Sequence, residues 1–594
     1  MFLVALSGQQ GEGAPDRMKV LRRPCAGGWA TVGAGELLGV MSEREGVIET
    51  GESLPSRAGG KRYSLVSAEI DLRSGCAKVL RRMNSGRHVY YAEHAGGVYV
   101  ASHIKLLKAM GVPIEENPAK LPEVFQYRYA MPGSTLLKGV RQLQAGEEIT
   151  IARGERGWSV RTTAVFSPPE AGGGSDDLVG DCQRALERVH DEGEFDPSRF
   201  AVLLSGGLDS SILTKIASMR LGVRGSWSCA YPFEDPNDDL EYMYATTAAK
   251  SLGMDHRVHV PTMATYLRGL VDCVWHAEQP LIHLQTVLLY SIFRDRLAPT
   301  GVNVVSCGEG ADGMFGFRFH QFLNYLSKRP LHRAGLGFPL FKWPMRFMAR
   351  QLNRFGLVAE MAGRKYDRGT PLGDPDHILW SLAMFGYEPW IRKAFGCTRR
   401  DIVRGRAEGM APFAGRELLD AVSILGFLSE GTETQVVWSL VGEGAGVGVF
   451  YPYPNPELID RAYRIPWEQK LAEPKAALRN VARSLGIEEF IITRPKAAFG
   501  IRSEKYGPRN SVFEPLVRVA AKGFDEGQLR SLQSPEIYLS QMLYTGINMG
   551  IWRRLFLMGD TVETLHEELN RAMHDLGCRE RFEAEGRVAP MIGG

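Results

Sequence analysis

The chain has 594 residues, a net charge of +3, 44% hydrophobic and 23% charged residues. These values fit an ordinary globular protein with room for more than one domain, and the charge favours no particular partner. Its 8 cysteines are scattered, without a Cys-x-x-Cys pair or metal-ligand spacing, which fits reduced thiols in a cytoplasmic protein.

The start, Met1 to Leu6, has no basic region before its apolar run, so no signal peptide is expected. The first 165 residues read as β-rich. Strands at 63–72 and 76–82 flank an Arg-Ser-Gly turn, and strands at 88–92 and 97–102 flank an Ala-Gly-Gly turn. A short helix is expected over 104–110, with further strands near 147–151 and 159–163. Ser167 to Asp176, rich in Pro and Gly, reads as a linker. Apolar strands at 200–204, 225–231 and 302–306 then alternate with helical stretches, which predicts a parallel sheet with right-handed crossovers. The remainder, 318–565, reads as mainly helical. No uninterrupted apolar span of about 18 residues occurs; the nearest, Ala421 to Tyr453, is cut by Glu430, Glu433 and Glu443.

The most informative stretch runs from Phe200 to Ser211. An apolar strand meets Ser205-Gly206-Gly207, and Ile212, Leu213, Ile216 and Ala217 then recur at helical spacing. Glycines at such a turn let backbone N–H groups approach a phosphate, and the helix N-terminus adds partial positive charge. Asp209 stands where a carboxylate can hold Mg²⁺ against that phosphate. No Gly-Lys-Ser/Thr follows, so this is not a Walker loop. It is the pattern of a loop that binds pyrophosphate in enzymes splitting ATP to AMP.

With Ser306 to Gly316, Lys475 to Arg479 and Ile492 to Gly500, this loop resembles the asparagine synthetase family in order and spacing. The resemblance spans about 60 to 505. Its amino-terminal part rests on Leu80 to Leu107 and Gly133 to Glu147, which are similar to the second half of the family's glutaminase domain. The resemblance implies an α/β fold in two parts: a β-rich Ntn-hydrolase-like sandwich, then a parallel-sheet synthetase domain with a large helical portion. The expected boundaries are 1–166, a linker over 167–177, the synthetase domain over 178–565 and a tail over 566–594.

By the same resemblance, Asp209 and Asp312 hold Mg²⁺. Leu204, Ser205, Gly206, Gly207, Asp209, Ser210, Cys229, Cys307 and Gly308 bind ATP. Glu309 takes a proton from the amine or orients it, and Lys496 holds phosphate or oxyanion charge. Lys475 and Arg479 either join them or face solvent, and His283 either contacts substrate or sits in a hydrogen-bonded core. The partners implied are a small-molecule or peptide carboxylate and an amine, with no nucleic acid and no transmembrane segment; a homodimer is one option. The basic, aromatic stretch Phe341 to Phe355 reads as a helix with an apolar core stripe, or as a docking face.

The departures are as informative. The family's glutaminase needs a cysteine directly after the initiator methionine, and this chain has Phe2. The amino domain is therefore expected to be degenerate. Gly313, Gly316-Phe317-Arg318 and Phe450 to Asn455 also depart from the family pattern, on what reads as the acceptor side. That combination is familiar in relatives making other amides, such as β-lactam and lasso-peptide macrolactam synthetases. Rival readings are a tRNA-modifying enzyme with the same loop, disfavoured by the small +3 charge and the lack of paired cysteines, and a non-catalytic ATP-binding protein.

Overall fold

The computed structural model describes residues 1–7, 18–26, 28–35, 38–58, 63–155, 157–173, 176–232, 240–316, 388–494, 512–532 and 542–584. Lys496, Phe317, Arg318 and the stretch 341–355 lie outside these.

Two six-stranded antiparallel sheets build the amino-terminal part. The first runs, in spatial order, Val140–Gln142, Tyr90–His94, Gly97–Ala101, Phe2–Ser7, Gly28–Gly35 and Met18–Cys25. The second runs Gly157–Ala164, Glu147–Gly154, Cys76–Arg81, Tyr63–Asp71, Val47–Leu54 and Gly39–Arg44. Because successive side chains point to opposite faces, Phe2, Val4 and Leu6 enter the core between the sheets with Ile48, Val66 and Val79. Leu3 and Ala5 turn the other way, into a core that includes Tyr266, Leu270 and Val274 of the helix Met263–Ala277. The strand Phe2–Ser7 is thus buried on both faces, and the two parts of the molecule share a core.

The carboxy-terminal part is built on five parallel strands in the order Asp255–His259, Gly225–Cys229, Phe200–Leu203, Val304–Ser306 and Gly448–Phe450. The expected α/β architecture, a β-sandwich followed by a helix-rich parallel-sheet domain, is what is observed. Two of the five strands were not legible. Asp255–His259 is polar and half-exposed at the sheet edge, and Gly448–Phe450 is only three residues long. The chain steps outward from Phe200–Leu203 on one side, then returns to the other through Val304–Ser306. That reversal leaves a crevice at the C-terminal ends of these two neighbouring strands.

The apolar stretch from 421 is broken into the helix Leu418–Gly426, a π-helical turn Phe427–Gly431 and the helix Thr432–Gly444. Among the described residues no helix is long and apolar enough to cross a membrane. Near the end of the chain, the helix Val562–Asp575 starts at Thr561, whose hydroxyl accepts from Thr564 N–H at 3.2 Å. It crosses the boundary expected at 565 and buries Leu565, Leu569 and Met573.

Docking of that helix includes His566, whose Nε2 lies 2.9 Å from Asp272 Oδ1. Burial disfavours the imidazolium, but the Asp272 carboxylate and the Arg268 carbonyl outweigh it, so the His566 pKa is raised. A raised folded-state value means stabilisation that is full below the unfolded histidine value and lost as pH rises through the folded one. Thermal melts should therefore place His566→Gln about 1 kcal/mol below the wild type near about pH 6, with a smaller gap near about pH 9. A gap that widens with pH would contradict this assignment.

Candidate functional site

The crevice is assembled from three loops. The first follows Phe200–Leu203. Gly206 adopts φ +70°, and a Cβ there would lie 2.3 Å from the Tyr244 carbonyl oxygen, so the turn passes beneath that backbone only as glycine. Gly207 (φ −82°) caps the helix Leu208–Leu221, which ends at left-handed Gly222. The loop is held by its own hydroxyls: Ser205 N–H donates to Ser210 Oγ at 3.2 Å, and Ser210 Oγ donates to the Gly207 carbonyl at 3.2 Å. Asp209 occupies the first turn of this helix.

The second loop follows Val304–Ser306. Gly308 packs on the first, where a Cβ would be 3.4 Å from Ser210 N. Gly310 (φ +110°) precedes the short helix Ala311–Phe315, whose first turn carries Asp312. Cys307 is buried, and its thiol is pushed up to about 12, mainly by burial and further by the Glu309 charge. Glu309 is half-buried, near enough to Tyr451 for its charge to act on that phenol too.

The third loop brings Lys475. Its Nζ lies 2.5 Å from Asp209 Oδ2 and 2.5 Å from Asp312 Oδ1. The two predicted metal-holding carboxylates therefore converge on one cation position. Burial disfavours the Lys475 ammonium, but both carboxylates outweigh it and hold its pKa above the ordinary lysine value. An all-oxygen pair converging on a point filled by a cation fits a hard divalent ion, so these residues suit Mg²⁺. Glu52, His103 and Glu443 also converge, but there the Arg87 guanidinium bridges the carboxylates at 2.9 and 2.7 Å.

The remaining expected residues are placed as follows. Leu204 is buried and its N–H donates to the Trp227 carbonyl at 2.9 Å, while Cys229 is half-buried at the end of the neighbouring strand. Arg479 is half-buried one turn beyond Lys475. His283 Nε2 lies 4.0 Å from Glu430 Oε1. Two contributors were missed by sequence reasoning. Arg494 donates to the Ser205 carbonyl at 2.8 Å and stacks 4.0 Å from the Tyr244 ring centroid. Tyr453, fully buried, donates from its phenol to the Asp209 carbonyl at 3.0 Å. Both lie in stretches the sequence singled out, but nothing in residue type distinguishes a phenol gripping a backbone from one facing a substrate.

The two loop glycines make opposite demands. Gly206→Ala meets both the left-handed backbone and the Tyr244 carbonyl, so it should lower stability by about 2 kcal/mol or more. Gly207→Ala has ordinary φ and its new Cβ would meet Ser205 Oγ at 3.4 Å, an ordinary contact, so its melting temperature should stay close to wild type. Equal melting temperatures for the two variants would refute this description of the turn.

Residues 196–534 match the family described as asparagine synthase. Among curated proteins, asparagine synthetase [glutamine-hydrolyzing] 1 of Bacillus subtilis (strain 168) is 27% identical over 253 residues, which cover 42% of this chain and 38% of that protein. The match thus spans under two fifths of that relative's length. A solved glutamine phosphoribosylpyrophosphate amidotransferase from B. subtilis is similar over 40% of this chain and 69% of that one, at 11% identity. Its TM-score of 0.14 is too low to carry a statement about fold.

Proposed function

The chain belongs to the asparagine synthase family, and on that footing we propose that it is an ATP-dependent, AMP-forming ligase joining a carboxylate to an amine. The observation that carries this reading is the convergence of Asp209 and Asp312 on one cation position, beside a glycine turn and a helix N-terminus.

A carboxylate resists amines because it is anionic and has no leaving group; adenylation removes both obstacles. Its oxygen attacks the α-phosphorus of ATP and pyrophosphate leaves. In this reading Ser205, Gly206, Gly207 and Ser210 receive the pyrophosphate on backbone N–H and hydroxyl groups. Leu204, Cys229, Cys307 and Gly308 line the nucleotide. Asp209 and Asp312 hold Mg²⁺, which when bound offsets the charge developing on the leaving group. An amine then attacks the activated carbonyl and AMP departs. Glu309 orients that amine or takes its proton, and Lys496 holds the oxyanion or phosphate charge.

The amine is free ammonia or a group on the substrate. Phe2 is buried in the sandwich core, where it offers no thiol nucleophile for glutamine hydrolysis. The alternative of an intramolecular amide, as in β-lactam or macrolactam formation, uses the same residues.

The test is pyrophosphate release from ATP–Mg²⁺ with aspartate, glutamate, amino-acid derivatives and peptides, with and without ammonium or glutamine. Release is expected with one carboxylate class, with no gain from glutamine over ammonium. Asp312→Asn should cut it by about 10²-fold or more. Turnover unchanged in that variant would remove the site from the reaction, and stimulation by glutamine alone would restore a working glutaminase.

A further inference from the structure

We infer that Lys475 is the resident cation of the Asp209–Asp312 site in the nucleotide-free protein, and that a divalent ion enters only together with ATP, displacing the ammonium toward the phosphates. This rests on the ATP-site reading above.

The geometry excludes joint occupancy. Lys475 Nζ is 2.5 Å from an oxygen of each carboxylate, so it fills the point on which both converge. The three side chains are only 11%, 24% and 34% exposed. Two carboxylates brought this close repel one another unless a cation lies between them, and water is too limited to screen them fully. One ammonium offsets that repulsion. Adding a divalent ion beside it would crowd three positive charges onto two negative ones, so one cation must leave.

The backbone around Lys475 is built for a side chain that moves on a fixed base. Lys475 sits at φ +61°, a left-handed conformation that costs a lysine about 1 kcal/mol and that glycine or asparagine adopts more cheaply. Such strain persists where the surroundings impose it. Here its N–H donates to the Phe315 carbonyl at 3.0 Å, tying its Cα to the end of the helix that carries Asp312. Its carbonyl accepts from Arg479 N–H at 2.9 Å. The base is therefore pinned by two backbone bonds, while four side-chain torsions stay free to carry the ammonium from the carboxylates to a polyphosphate.

The other bridged pair shows what a permanent counter-charge looks like. Arg87, between Glu52 and Glu443, is 1% exposed and uses separate nitrogens of a rigid fork for the two carboxylates. Lys475 presents a single point charge to both acids, the kind of occupant that one metal ion can replace.

The experiment uses the full chain stripped of metals and titrated with Mn²⁺, with free ion read by electron paramagnetic resonance, with and without ATP. Wild type is expected to take up Mn²⁺ with ATP and at least about ten-fold more weakly without it. Lys475→Met should bind Mn²⁺ without nucleotide at least about ten-fold more tightly than wild type, and adding Asp312→Asn to it should abolish that gain. Equal nucleotide-free uptake by wild type and Lys475→Met, or a gain that survives Asp312→Asn, would overturn the displacement while leaving the ATP site standing. Wild type that binds Mn²⁺ no better with ATP than without also overturns it, and this arm decides the matter if Lys475→Met does not fold. Failure of wild type to bind ATP at all would instead bring down the ATP-site reading on which the inference rests.

Discussion

Two carboxylates aimed at one point from neighbouring strands set the terms for everything around them. The strand order makes this unavoidable: the chain reverses direction across the sheet between Phe200–Leu203 and Val304–Ser306, and each strand hands its loop to the same crevice. Left alone, Asp209 and Asp312 would repel, so the fold must supply a positive charge between them. Lys475 arrives from a distant part of the chain to do so, on a backbone bonded to the helix of Asp312. Gly206 and Gly310 take left-handed turns so that the loops can approach, and Tyr453 grips the Asp209 carbonyl from the turn after the edge strand. These features are one solution to one electrostatic problem.

The sandwich is bound into the same fold independently of any chemistry it performs. Ile104 N–H donates to the buried Glu278 carboxylate, and Lys105 Nζ lies 3.2 Å from it. Arg128 donates to the Ile282 carbonyl at 2.7 Å, and Arg553 engages both oxygens of Glu116. Gln142 reaches Glu433 at 3.3 Å. Glu433 is so enclosed that burial pushes it up to about 7, against the opposing pull of Arg81, Gln279 and Gln142. Each fully buried apolar side chain at such a junction contributes about 1.5–3 kcal/mol. A sandwich that closes the core of its neighbour has a structural reason to persist whatever chemistry it performs.

What the sequence disclosed follows from how each element is buried. The hairpins at 63–82 and 88–102 have turn residues between β-rich runs, so they were legible. Phe2–Ser7 is buried on both faces and reads as an unbroken apolar run, which periodicity cannot assign to a strand. The two loops that carry Asp209 and Asp312 stood out in the sequence because glycine and aspartate at such spacing have few other uses. Lys475 was harder. A lysine at the start of a helix ordinarily faces solvent, and only the three-dimensional approach of two acids from elsewhere makes it a buried counter-charge.

The rewritten stretch Phe450 to Asn455 shows why departure from a family pattern is not yet a statement about substrate. Read from sequence, its two tyrosines belong to the acceptor side. In the fold Tyr451 and Tyr453 are 1% and 0% exposed, and their hydroxyls donate to the carbonyls of Gln435 and Asp209. A phenol committed to a buried backbone carbonyl cannot also read a ligand without leaving that carbonyl unsatisfied, which costs about 1–3 kcal/mol. Tyr453 therefore acts on the shape of the loop that carries Asp209, and Tyr451 on the helix Thr432–Gly444, so neither phenol is spare for reading a ligand.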